Sequence, residues 1–281
     1  MSAQLGNIVF IVWRESVEAL LVIGILEAWL ASRDPETRRS GRKWLWSGVA
    51  GGILGAIVLA WVLTVFDDTL SEDGRQMFQT AMVLVAAALI VQMVVWMRRN
   101  GRTLKRDMET ALTGAVERRS WWSVFLLALL AVLREGSETV IFLWGSLAGR
   151  PVGEIGAPVL AALAGFAAAA GTYGLLQLGG RILSWRLFFR ITEVMLLCLA
   201  GALLMTGVGG LVDLGWLPGL GRLWDTSRLL PDTGVFGGLL AALTGYRARP
   251  MGIEVIVFAA YWLSIGWMLV APRPAASVRP A

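Results

Sequence analysis

Two copies of one short pattern hold the ionisable groups of this 281-residue chain that are best placed to do chemistry. Arg14-Glu15-Ser16-Val17-Glu18 and Arg134-Glu135-Gly136-Ser137-Glu138 both read Arg-Glu-x-x-Glu, and 120 residues separate them. On a helix, residues three and four apart share a face. Glu15 and Glu18 therefore point the same way, with Arg14 one turn before Glu18, and the second copy repeats the arrangement. Both copies lie inside long apolar runs. A charged residue at the centre of a membrane helix costs about 2.5 to 3.5 kcal/mol on insertion scales. Six unpaired groups would together cost on the order of 15 kcal/mol, comparable to the whole stability of a domain. They must face one another or a hydrated cavity, away from lipid. Structural Arg–Glu bridges that lock helices together are one reading. Four Glu and two Arg leave a charge of −2 if all are ionised, and this surplus asks for protons or a cation.

The rest of the composition restricts what such a site could hold. The chain contains no His, which excludes imidazole ligation of haem, His-based metal sites and His-dependent triads. One Cys, Cys198, excludes an intrachain disulfide and any multi-thiolate cluster, and it reads as a small packing residue in the apolar run 195–204. The ten Met are scattered without a stripe, as lipid-facing or packing residues are, and mark no soft-metal path. Carboxylates without imidazole or thiolate make a hard-oxygen site, which favours Ca²⁺, Mg²⁺, Mn²⁺ or iron over Cu⁺ or Zn²⁺, with Fe³⁺ the hardest of these. Chemistry alone leaves that choice open. The same carboxylates would also suit a proton- or sodium-coupled transporter of another divalent cation. A membrane-embedded enzyme lacks a plausible nucleophile–base pair, and a purely structural subunit would not need the surplus charge.

The elements that position the motifs are membrane helices. Hydrophobic residues make up 57% of the chain and charged residues 16%, against roughly 25% charged in a soluble domain. Crossing ~30 Å of hydrocarbon takes ~20 helical residues. Seven stretches reach that length, near 7–31, 44–66, 76–97, 121–147, 155–179, 187–209 and 253–271, with an outer loop at 210–252. No Lys or Arg precedes the first, and it is too long for the core of a cleaved signal peptide. The predicted fold is an all-α integral membrane protein that forms one transmembrane domain over 1–281. Sixteen of the 25 Lys and Arg fall in the segments after the first, third and fifth helices and in the tail, among them Arg98, Arg99, Arg102, Lys105 and Arg106. The positive-inside rule then puts the N-terminus outside and the C-terminus in the cytoplasm. This asymmetry explains the basic balance without nucleic-acid binding. Helices one to three and four to six become an inverted 3+3 repeat, each half opening with the same motif, plus one C-terminal helix. Such repeats place sites near the midplane, at the interface between halves. Small residues in the second helix of each half (Gly48, Gly51, Gly52 and Gly55; Gly165, Ala168, Gly171 and Gly174) permit close helix packing.

At these residues the chain resembles the oxidase-dependent iron permease family, the seven-helix ferric transporters of fungi and bacteria. The resemblance rests on WRESVEALL at 13–21, LREGSETVIFLWG at 133–145, and LWDTSRLLPDTGVFGGLLAALTGY at 223–246 followed by Pro250 and the last helix. It covers nearly the whole chain. It implies a multi-pass permease of the inner (cytoplasmic) membrane that moves iron into the cell. Fe²⁺ would first be oxidised by an extracytoplasmic ferroxidase or handed over by an iron-delivery protein. Fe³⁺ is then the transported ion, with no permanently bound cofactor. Carried onto this chain, the ferric ligands would be Glu15, Glu18, Glu135 and Glu138, oriented or balanced by Arg14 and Arg134. Family members often carry a glutamate near the start of the third helix, where this chain has Gln79.

Weaker candidates surround this centre. Asp67, Asp68, Glu72 and Asp73, against the single Arg75, form an acidic outer turn between the second and third helices that could collect cations. Asp225 and Asp232, with Asp213, lie in the outer loop and could serve hand-over or partner docking, although they also suit cap and turn chemistry. Glu27, three turns past Glu15, could mark the exit path. Glu193 and Glu254 sit near helix N-termini, where a negative group is favourable for dipole reasons. Trp44, Trp46, Trp121 and Trp122 sit at helix ends, as interfacial anchors do.

Overall fold

The structure, a computed structural model, describes residues 2–100, 110, 121–147, 156–177, 185–231, 237, 240–241 and 244–270. Seven long helices carry the architecture: α1 (Ser2–Ala31), α2 (Pro35–Thr69), α3 (Glu72–Asn100), α4 (Trp121–Leu147), α5 (Gly156–Gln177), α6 (Trp185–Asp213) and α7 (Gly252–Val270). Five of them, α2, α3, α5, α6 and α7, are long and apolar enough to cross a membrane. The apolar runs of α1 and α4 are interrupted by the two charged motifs. Together these helices make a multi-pass membrane protein. Arg102, Lys105, Arg106, Asp232 and the tail 271–281 lie outside the described residues.

Helix ends follow local chemistry more than hydropathy. The sequence places the second helix near 44–66, whereas α2 begins at Pro35. Asp34 caps it, its side chain accepting the Thr37 N–H at 2.9 Å, and Pro35 fits the first turn, where no N–H is needed. The charged residues from Glu36 to Lys43 leave the hydrocarbon without breaking the helix. At the other end of the helix Asp67 and Asp68 belong to the last turn of α2, and Glu72 and Asp73 to the first turn of α3. α6 runs to Asp213 and stops at Gly215, whose φ of 73° suits the C-terminal position after a helix. There the Gly215 N–H donates to Val212 O and the Trp216 N–H to Leu211 O, both at 2.9 Å. The segment that follows folds back toward α7 through an antiparallel bridge between Arg222 and Met251, reinforced by Thr226 N–H donating to Ala248 O at 2.9 Å.

Packing decides where the motifs sit. α2 packs most extensively on α4, α1 on α5, and α3 on α6, while α1 also touches α4. Apolar cores form between α1, α2 and α4 around Leu26, Leu45 and Ala128, and between α1, α3, α4, α6 and α7 around Ile11, Ile90, Phe142 and Leu199. Exposed apolar side chains such as Leu54 and Trp61 on α2, Leu160 and Leu163 on α5, and Leu263 and Trp267 on α7 cover the outside. The glycines expected to allow close packing divide into two groups. A Cβ on Gly52 would stand 2.8 Å from Val132 Cβ and 2.9 Å from Leu133 N, one residue before the second motif. A Cβ on Gly165 would stand 2.6 Å from Val9 O and 3.1 Å from Trp13 N, one residue before the first. Gly171 and Gly174 meet nothing within 4 Å and serve no close approach among the described residues.

Candidate metal centre

The middle of α1 faces the middle of α4, and the two motifs meet there. Carboxylate oxygens of Glu15, Glu18 and Glu135 all lie within 4.8 Å of one another. Arg14, 1% exposed, bridges both glutamates of its own motif: Nη1 donates to Glu15 Oε1 at 2.5 Å and Nη2 pairs with Glu18. Arg14 Nη1 also donates to the sulfur of Met93 on α3 at 2.9 Å.

The second motif is arranged differently. Arg134 Nε donates to Glu138 Oε1 at 3.0 Å, four residues on, and its guanidinium lies over the Trp96 ring of α3 at 4.4 Å. Its side chain keeps 40% of its exposure. Glu135 is buried and makes no ion pair among the described residues. One buried oxygen each of Glu15, Glu135 and Glu138 has no hydrogen-bond partner. Buried carboxylate oxygens are normally satisfied, so these three are free to take a cation or a proton. Ser137 and Thr139 do not compete for that role, because their hydroxyls donate to the helix carbonyls of Arg134 and Glu135 at 2.8 Å.

The four motif glutamates are thus gathered at one place, three of them mutually close and Glu138 one turn along α4, held by Arg134. Two contributors carry no sequence signal: Met93 and Trp96, three residues apart on α3, each receive one motif arginine. Met93 is a buried residue, as expected of the methionines, yet its sulfur also accepts a hydrogen bond at the site.

The weaker candidates lie elsewhere. Glu27 pairs with Arg42 of α2 at 2.5 Å, which joins the end of α1 to the start of α2. Asp67 and Asp68 share Arg75 at 3.5 and 3.8 Å, while Glu72 and Asp73 are exposed. Asp225 pairs with Arg249 at 3.0 Å and accepts from both the backbone N–H and the hydroxyl of Ser227. Those Ser227 bonds, with Arg249 beside them, hold the Asp225 carboxyl down at about 2. Glu193 pairs with Arg98 at 3.3 Å, and Glu254 accepts the Met251 N–H at 2.8 Å, a cap on α7. Gln79 is partly buried near the start of α3.

Fold and site together define a multi-pass helical membrane protein with a buried acidic cluster between two of its helices. The profile of the iron permease FTR1 family matches residues 6–272, and the chain belongs to that family. Among curated proteins it is similar to the ferrous iron permease EfeU of Escherichia coli O6:H1 (strain CFT073), 29% identical over 275 residues that cover 95% of this chain and 96% of the relative. The ferrous iron permeases EfeU of Shigella sonnei (strain Ss046) and Yersinia pestis are 30% and 27% identical, covering 89% of this chain and 90% and 88% of their own lengths. No solved structure matches the chain.

Proposed function

We propose that this iron permease moves Fe³⁺ across the cytoplasmic membrane into the cell, using Glu15, Glu18, Glu135 and Glu138 as ligands and Arg14 and Arg134 as their orienting partners. The observation that carries the reading is the convergence of Glu15, Glu18 and Glu135 oxygens within 4.8 Å, from two motifs on two helices. Several anionic oxygens are what a hard trivalent ion needs to replace its water, and the surplus of two negative charges gives a cation a reason to stay. The ferric ion would come from oxidation of Fe²⁺ outside the cell by a ferroxidase or from an iron-delivery protein. In this reading seven helices cross the membrane, with the N-terminus outside and the C-terminus inside. The packing supports an inverted repeat: α2 lies on α4 as α5 lies on α1, which is the exchange that such a symmetry demands. Binding must be strong enough to enter yet breakable enough to leave. Movement of α1 with α5 against α4 with α2 would divide the ligand set and release the ion.

A second reading, Fe²⁺ as the ion bound, is favoured by two observations. The relatives are named ferrous permeases, and a thioether, Met93, stands at the site. The test is uptake of labelled iron by cells carrying wild type or the single variants Glu15→Gln, Glu18→Gln, Glu135→Gln and Glu138→Gln, with Fe²⁺ and Fe³⁺ offered separately. Each variant should insert normally and lose uptake. Normal uptake in all four overturns the site, and uptake of Fe²⁺ under strictly anaerobic conditions overturns the ferric assignment alone.

A further inference from the structure

The turn between α1 and α2 and the first turns of α2 border an open groove of about 380 Å³ lined by Arg33, Pro35, Arg38, Arg39, Arg42 and Lys43, all of them exposed. Of its five cations, only Arg42 has a carboxylate partner among the described residues, Glu27. Two acids stand beside the groove in sequence: Asp34, which caps α2 by accepting the Thr37 N–H, and Glu36, exposed on the first turn of α2. Arg33 is held over the Trp29 ring at 4.3 Å. A groove lined by four arginines and a lysine offers the donors that a phosphate accepts, with paired N–H bonds from each planar guanidinium.

The same helix indicates where that phosphate would come from. Arg39, Lys43, Trp46, Ala50, Ile53, Ile57 and Trp61 follow one another at intervals of three or four residues, so they share one face of α2, and every one of them is exposed. Trp46 lies seven residues, about 10 Å, beyond Arg39 along that face. Trp44 and Trp122 pack edge to face at the same level, which marks the aromatic belt of a membrane interface. Cations therefore sit at headgroup depth, a Trp at the interface, and an apolar track below it long enough for an acyl chain.

We propose that this groove binds the phosphate of an anionic phospholipid whose acyl chain lies along the exposed face of α2. A soluble phosphate would use the cations but gain nothing from the track. The test is binding of phosphatidylglycerol, phosphatidylcholine and inorganic phosphate to the purified full-length protein, followed by native mass spectrometry with increasing activation. Phosphatidylglycerol should stay bound where phosphatidylcholine dissociates, and millimolar phosphate should not displace it. The triple variant R38Q/R39Q/K43Q should bind it about tenfold more weakly or worse, since each basic residue near an anionic surface contributes favourably. Should the triple variant fail to insert, R39Q, whose exposed side chain pairs with no described carboxylate, should show a three- to fivefold loss. Equal retention of the two lipids, displacement by phosphate, or unchanged binding in the variant tested overturns the proposal.

Discussion

Glu15 and Glu135 bring carboxylate oxygens within 4.8 Å of one another although 120 residues separate them. Each is the first glutamate of its motif, each has an oxygen without a hydrogen-bond partner, and Arg14 donates only to the first. Two like charges this close in a site shielded from water repel strongly. Their proximity is tolerable only if something positive comes between them. Glu135→Gln should therefore raise the melting temperature of the iron-free protein by a few degrees while abolishing the rise that iron produces in wild type. A thermal melt in detergent, with and without iron, checks both. An unchanged iron response would remove Glu135 from the ligand set.

The two motif arginines should not be equivalent. Arg14 is enclosed and holds two carboxylates, and removing one partner of a buried pair costs about 3–5 kcal/mol. Arg14→Gln should sharply reduce folded yield. Arg134, with 40% of its side chain exposed and one carboxylate partner, should tolerate Gln with near-normal yield and impaired uptake. Quantifying folded protein by size-exclusion chromatography separates the cases, and equal loss in both variants would refute the distinction.

Helix contact should be sensitive to single methyl groups at chosen glycines. Gly165→Ala would push a Cβ against Val9 O, and Gly52→Ala would push one against Val132 and Leu133. Overpacking of this kind costs about 1–3 kcal/mol. Gly174→Ala meets nothing within 4 Å, so it should be neutral or gain the roughly 0.5–1 kcal/mol by which Ala exceeds Gly in a helix. Melting temperatures of Gly165→Ala and Gly52→Ala should fall below that of wild type, with Gly174→Ala at or above it.

The Asp225 contacts in the segment after α6 should be acid-sensitive only at low pH. Asp225 ionises near 2 in the folded protein, below its ordinary 3.8. A depressed carboxyl contributes stability that is present above its unfolded value and lost as pH falls through the folded one. Proteolysis of the segment after α6 by an acid-active protease should be slow and constant above about pH 4, then accelerate toward pH 2. Asp225→Asn should show the faster cleavage already at pH 5. A variant as resistant as wild type would show that the Asp225 contacts do not hold this segment.

Met93→Leu keeps the volume near Arg14 and removes only the sulfur. If Fe²⁺ is the species bound, uptake of ferrous iron should fall several-fold while the protein inserts normally. If Fe³⁺ is bound by oxygen alone, the variant should transport as wild type. Uptake assays with the two oxidation states decide between them.

The carboxylate cluster was legible in the sequence because two strong rules overlap on it. Helical period puts Glu15 and Glu18 on one face, and hydrocarbon forbids leaving six charges toward lipid, so the charges had to face one another or a hydrated cavity. The helices were legible for the same hydropathic reason, but their ends were not: Asp34 and Pro35 start α2 nine residues before the apolar run. Met93 and Trp96 escaped because an apolar helix such as α3 carries no mark of which side chains will meet an arginine. Glu27 looked like a residue on an exit path, whereas its partner Arg42 is fixed by a turn whose geometry hydropathy does not encode. Gly171 and Gly174 looked the same as Gly165 in sequence, and only packing tells them apart.

The exchange of helices also bears on how such a chain could arise and be handled. The motif helix α1 is covered chiefly by α5, and the motif helix α4 chiefly by α2. Each motif helix therefore takes most of its cover from a helix far from it in sequence. The early and late helices are thus interlocked, so that a fragment ending after α3 would lack the helix that chiefly covers Arg14, Glu15 and Glu18, while two co-expressed fragments should still be able to assemble.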